Sequence, residues 1–280
     1  MSTSRESRSA ELPLRYGLLL FPQWELLDAA GPIEALNSLS HSAKFPYASD
    51  LDFCIIAETL DPVSTGALSD DPKPFNRRIA QSIVPTHTFD NAPDIDVLII
   101  PGGYGTGPGA LHAGKDGWEP NVDALVDFIA KVYDKVEYVI TVCSGSGLIA
   151  KAGLLDGHTA TTNKAAWKAI TPLGPRTHWV GHARSVYVSS LLKSTTIAWI
   201  LTQCKSRWVV TDEGKIWTSS GVSAGMDCFL AFLEEVYGTD EKGVSWADQV
   251  SAGMEYTRAR DSKADPWADV HAVQDVQPKE

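Results

Sequence analysis

The stretch Glu137-Tyr138-Val139-Ile140-Thr141-Val142-Cys143-Ser144-Gly145-Ser146-Gly147 decides the fold class. Residues 138–142 are aromatic, β-branched and apolar without alternation, as in a strand covered on both faces. Small residues follow Cys143 at once, and Ser146 to Ala152 reads as the opening of a helix. A strand that breaks into a helix across one thiol-bearing residue has the pattern of a nucleophile elbow. The neighbours of such a residue must be small because the turn is sharp. The helix start would place its positive end near the sulfur, lower the thiol pKa and favour the thiolate. Cys143 is therefore the candidate nucleophile.

Further strands and helices alternate on either side. Arg15–Phe21, Leu51–Ala57 and Asp96–Ile100 are short, nearly continuous apolar runs, and each reads as a buried strand. Helices are expected over Asp28–Leu36, Asn121–Tyr133, Val222–Tyr237 and Ser245–Tyr256. In the second of these, Val122, Leu125, Val126 and Ile129 recur at helical spacing. Ser64–Pro93 is rich in turn formers with short β-like pieces such as Gln81–Val84. Trp208–Ser219 reads as a hairpin turning at Asp212-Glu213-Gly214. Buried strands alternating with helices predict an α/β fold, a mostly parallel sheet sandwiched by helices, with the ligand site outside the carboxyl ends of the strands.

Three segments fall at those ends. The first holds Asp28 and, as a neighbouring alternative, Glu25. Asp28 alone reads best as a helix N-cap, yet its position also makes it a candidate acid or base. The second is the glycine loop Pro101-Gly102-Gly103-Tyr104-Gly105-Thr106-Gly107-Pro108-Gly109. Its spacing is not G-x-G-x-x-G, and Pro108 interrupts it, so phosphate binding is disfavoured. It reads as a tight loop bringing the Gly103 N–H close to a reacting atom. With the Ser144 N–H it would form an oxyanion-type hole. The third segment is Cys143 itself.

These residues, in order, resemble the ThiJ/PfpI superfamily, a glutamine-amidotransferase-like group, over about residues 14–256. The resemblance rests on Leu19-Leu20-Phe21-Pro22, Leu27-Asp28, Gly31-Pro32, Ile100-Pro101-Gly102-Gly103 and Val142-Cys143-Ser144-Gly145-Ser146. It continues through Ala152-Gly153-Leu154-Leu155-Asp156-Gly157, Ala160-Thr161-Thr162 and Ser219 to Asp227. Within the superfamily the isonitrile hydratase branch is most similar. The resemblance implies a nucleophilic Cys143, an acidic partner at Asp28, a hydroxyl at Ser144 and a homodimer. It implies hydration of a small substrate without metal or organic cofactor. A glyoxalase-like or redox-stress protein using the same cysteine, or a non-catalytic binding protein, are the rival expectations. Where the hydratases carry a His after Ala-Thr-Thr, this chain has Asn163, so no Cys–His pair is expected. Regulators of the AraC type share the domain with a DNA-binding module, and only a short acidic tail follows Tyr256 here.

Composition narrows the partners. A net charge of −11 repels nucleic acid and anionic membranes and says little about a small neutral substrate, which is the ligand the resemblance implies. The four cysteines, at 54, 143, 204 and 228, form no CxxC pair and no metal-type cluster, which fits a reducing, cytoplasmic setting. Cys54 and Cys228 read as core residues. Residues 1–12 are expected to be a disordered tail, 13–258 the domain and 259–280 a loose C-terminal tail. Ser185–Arg207 has no counterpart in the family pattern and reads either as an atypical insertion or as translated intron sequence, dispensable in both cases.

Overall fold

The computed structural model describes residues 12–66, 79–106, 122–181 and 207–279. The first strand, β1 (Arg15–Leu19), leads into α1 (Leu26–Ser40) and then β2 (Asp52–Ala57). Three two-residue strands follow: β3 (Val63–Ser64), β4 (Ser82–Ile83) and β5 (His87–Thr88). The central strands β6 (Val97–Ile100) and β7 (Tyr138–Thr141) flank α2 (Val122–Tyr133) in sequence. After β7 come α3 (Ser146–Lys151), β8 (Thr159–Ala160), α4 (Trp167–Ile170) and β9 (His178–Trp179). The chain continues through β10 (Trp208–Thr211), β11 (Ile216–Ser219), α5 (Ser223–Tyr237), α6 (Trp246–Gly253) and α7 (Trp267–Val270).

Seven strands form one sheet in the order β10-β11-β7-β6-β1-β2-β5, parallel except for β10, which is the hairpin partner of β11. The central strands are closed off from water on both faces, which is why they read as unbroken apolar runs: all four residues of β6 are buried. Helices α1, α5 and α6 pack together, as do α2 and α3. The chain winds outward from β1 to β2 and returns to β6 on the other side of β1. That reversal opens a crevice at the carboxyl ends of β1 and β6, beside β7.

Two expectations are corrected. Asp28 is not an N-cap. The cap is Glu25, whose backbone N–H donates to Gly102 O at 2.9 Å and pins the start of α1 at Leu26. The residues after Arg260 are not loose within 261–279. Ala268 and Val273 are buried, and Val276 makes an antiparallel bridge to Trp179 of β9. Their apolar spacing is too sparse to signal an element, and the partner edge comes from distant sequence. Of the proposed insertion, residues 185–206 and Cys204 lie outside the described residues. Its last member, Arg207, belongs to the domain, with Nε 2.7 Å from Asp227 Oδ2, the Asp side chain being fully buried.

Candidate active site

Cys143 follows β7 with φ +59°, a left-handed conformation costing a non-glycine residue of order 1–3 kcal/mol. The surroundings fix it there. Its N–H donates to Ser220 O at 3.0 Å, and its carbonyl accepts from Thr162 Oγ1 at 2.9 Å. Close approach explains the small residues around it. A Cβ on Gly102 would lie 2.7 Å from both Cys143 Cβ and the Ser144 nitrogen. A Cβ on Gly103, at φ +133°, would lie 2.3 Å from Gln23 O.

The loop after β1 and α1 brings Asp28 to the same place. The side chain is 1% exposed, and its Oδ2 accepts from the Gly102 N–H at 3.0 Å. Burial is the largest influence on it and raises its pKa to about 7, with the Glu25 charge adding to the rise. The Gly102 N–H, the Cys143 thiol and the Val222 N–H act in the opposite direction. Glu25, the alternative acid, is exposed and lines the cleft. Asp28 is therefore the carboxylate that faces the sulfur.

Burial, and then the Asp28 charge, push the Cys143 thiol well above its ordinary range. The Ser144 N–H and the Asn163 side chain pull the other way without reversing the shift. This corrects the expected thiolate. The helix that follows the elbow is six residues long and preceded by a 3-10 turn over Cys143–Gly145. Desolvation and a neighbouring carboxylate outweigh the donors that reach the sulfur. The resting sulfur carries its proton beside a carboxyl group that titrates near neutrality.

The predicted oxyanion donors are arranged differently. The Gly103 N–H donates to Ser144 Oγ at 3.0 Å, and the Ser144 hydroxyl donates to Gly103 O at 3.1 Å. Thr106 Oγ1 lies 2.6 Å from Ser144 Oγ. Ser144 thus ties the glycine loop to the elbow through its hydroxyl, while its own N–H faces the sulfur.

Sequence reasoning missed Asn163 as a sulfur partner. Asn163 Nδ2 donates to Cys143 Sγ at 3.0 Å, and its Oδ1 accepts from the Ala166 N–H at 3.0 Å. The available signal was its position after Ala160-Thr161-Thr162, where similar proteins place a residue near the nucleophile. The sequence expectation there goes no further than the lack of a Cys–His pair.

Sulfur opens into a cleft of about 380 Å³, lined by Tyr104, Thr106, Ala165, Ala166 and Ile170 beside the site residues. Among the described residues, no group of three or more His, Cys, Asp or Glu side chains is placed to hold a metal ion. No helix among them is long and apolar enough to cross a membrane.

Comparison with known proteins gives the family and the fold. An isonitrile hydratase from Pseudomonas putida is 28% identical over 248 residues, 89% of this chain and 81% of that protein. A ThiJ/PfpI family protein from Pseudomonas syringae superposes with a TM-score of 0.56 at 22% identity, covering 92% of this chain and 82% of its own. Drosophila melanogaster DJ-1beta superposes with a TM-score of 0.53 at 14% identity, covering 87% and 98% of the two chains. At such identities the superpositions speak for the fold alone. The sequence model of the DJ-1/PfpI family matches residues 17–235, most of the chain and all of the strand ends that build the cleft. This chain belongs to the DJ-1/PfpI family.

Proposed function

We propose that the protein is a cysteine-dependent hydro-lyase that hydrates a small isonitrile to an N-substituted formamide. The observation that carries this reading is the pairing of Cys143 with Asp28, a buried carboxyl group whose pKa of about 7 suits it to take and return a proton at neutral pH. Similarity to the Pseudomonas putida isonitrile hydratase supports it.

The chemistry needs one nucleophile and one proton carrier. Protonated Asp28 delivers its proton to the terminal carbon of R–N≡C. The Cys143 sulfur bonds to that carbon and its own proton passes to the Asp28 carboxylate. The product is a thioimidate, R–N=CH–S–Cys143. Water then adds to the carbon, the nitrogen gains a proton, and the C–S bond breaks with return of a proton to sulfur. The sum is R–N≡C plus water giving R–NH–CHO. Asn163 Nδ2 and the Ser144 N–H face the sulfur and suit the charge it carries as it forms and leaves. The cleft beyond sulfur presents Ala165, Ala166, Ile170 and the Tyr104 ring, which suits an apolar R group.

The test sets an isonitrile and methylglyoxal side by side against purified protein, following formamide and lactate by NMR. Formamide formation that disappears in Cys143→Ala supports the reading. An untouched isonitrile with methylglyoxal consumed would replace it with the glyoxalase-like one.

A further inference from the structure

We propose that the C-terminal segment acts on the reactive thiol from a distance: the buried pair Lys164–Asp265 holds the Thr161–Ala166 loop so that the Asn163 amide stays on Cys143 Sγ. This rests on Cys143 being the reactive thiol, and not on what that thiol attacks.

The amide is fixed at both ends. Its oxygen accepts from the Ala166 N–H, so the nitrogen is the end presented to sulfur. A Cβ on residue 221 would lie 2.6 Å from that nitrogen, so Gly221 leaves the space the amide fills. An amide N–H donates and cannot receive the thiol proton. With one side of the sulfur occupied by a donor, Asp28 is the carboxyl group that acts most strongly on the thiol. Asn163 thus holds a donor against one side of the sulfur and steadies the thiolate once the proton has left.

The next residue, Lys164, turns inward. Its ammonium donates to Thr161 Oγ1 at 2.8 Å and Thr162 O at 3.1 Å, and lies 3.4 Å from Asp265 Oδ2. The two side chains are 1% and 0% exposed. A charge buried so completely is costly without its partner, so each holds the other in place. The same loop is tied to the elbow by Thr162 Oγ1 on Cys143 O, and to β11 by the Thr161 N–H on Thr218 Oγ1 at 3.0 Å. Asp265 arrives from the C-terminal segment. That segment is fastened by the Trp179–Val276 bridge, by Trp167 Nε1 donating to Gln274 O at 3.0 Å, and by the Gly181 N–H donating to Asp275 Oδ1 at 2.8 Å. The charged groups acting on the sulfur are Asp28 and Glu25 from α1 and its cap, and Lys164 from the loop. Those acting on Lys164 are Asp265, Asp275 and Cys143. Lys164 and Asp265 are positioning residues, acting through Asn163.

The experiment is a double-mutant cycle on the full chain, reading the iodoacetamide alkylation rate of Cys143 at pH 8 by peptide mass spectrometry. Asn163→Ala is expected to slow alkylation about threefold to tenfold, the loss of one hydrogen bond to a developing thiolate. Asp265→Asn keeps an acceptor for the Trp267 N–H, which now bonds Asp265 Oδ1 at 3.0 Å, while removing the charge. It is expected to slow alkylation in the otherwise unchanged protein and to have no further effect in the Asn163→Ala background. An unchanged rate in either single variant, or equal slowing by Asp265→Asn in both backgrounds, would overturn the proposal. If Asp265→Asn does not fold by circular dichroism, Lys164→Met with Asp265→Asn removes both charges and is read in the same way. Failure of both to fold would assign the pair to the fold alone and also overturn it.

Discussion

Asp28→Asn removes one charge beside the Cys143 sulfur and keeps the shape of the side chain, and its effects on reactivity and turnover are expected to run in opposite directions. The Asp28 charge is the second cause, after burial, of the raised thiol pKa. A unit charge about 5–6 Å away is worth ~3 kcal/mol at an effective dielectric of ~20, or about two pK units. Lowering the thiol pKa by about two units raises the thiolate fraction ~100-fold. A Brønsted slope of about 0.5 removes half of that gain in logarithmic terms, leaving alkylation at pH 8 about tenfold faster. At pH 5.5 the wild-type carboxyl is already mostly protonated, because its pKa is about 7, and the two proteins should alkylate alike. An amide cannot carry a proton between sulfur and carbon, so turnover of an isonitrile should fall about 10²- to 10⁴-fold. Stability moves as well. The folded protein holds the Asp28 proton up to a pKa of about 7, whereas the unfolded chain releases it near 3.8. The ionised carboxylate therefore costs stability increasingly as pH rises between those values, and fully above them. The Asn variant should melt several degrees higher at pH 8 and at the same temperature at pH 3. Equal alkylation rates at pH 8 would refute the electrostatic coupling. Unchanged turnover would refute the proton-carrying role.

Among the described cysteines, limited iodoacetamide labelling should modify Cys143 before Cys54 and Cys228. Thiolate fraction alone favours Cys54, whose pKa is pushed to about 11, but Cys143 lines the open cleft and receives donors from Asn163 and Ser144. Preferential labelling of Cys54 in peptide maps would show that access does not govern the site. The family resemblance leads us to propose self-association as a dimer, to be read by light scattering at micromolar concentration, where a clean monomer would refute it. Removing residues 185–206 while keeping Arg207 and its Asp227 partner should leave Cys143 alkylation unchanged and raise solubility. Loss of alkylation or of folding would show the segment to be integral.

What the sequence by itself determined follows from local signals. Unbroken apolar runs in strands covered on both faces, and small residues after Cys143, are properties of neighbouring residues, so the parallel sheet and the elbow were legible. The hairpin at Trp208–Ser219 was legible for the same reason. Two expectations failed because they weighed a residue against its own helix only. Asp28 looked like a cap, but the Gly102 carbonyl, 77 residues from Glu25, holds the Glu25 N–H and starts the helix earlier. The thiolate seemed favoured by a helix start, but desolvation and a carboxylate from α1 oppose it, and both depend on how β1, β6 and β7 lie side by side. The Asn163 donor and the Lys164–Asp265 pair join segments up to 101 residues apart along the chain, with no periodicity to mark them. Protonation and hydrogen-bond direction at the sulfur are set by burial and by distant partners. Only the tertiary structure decided them, because a dielectric environment belongs to the packed fold and to no stretch of sequence.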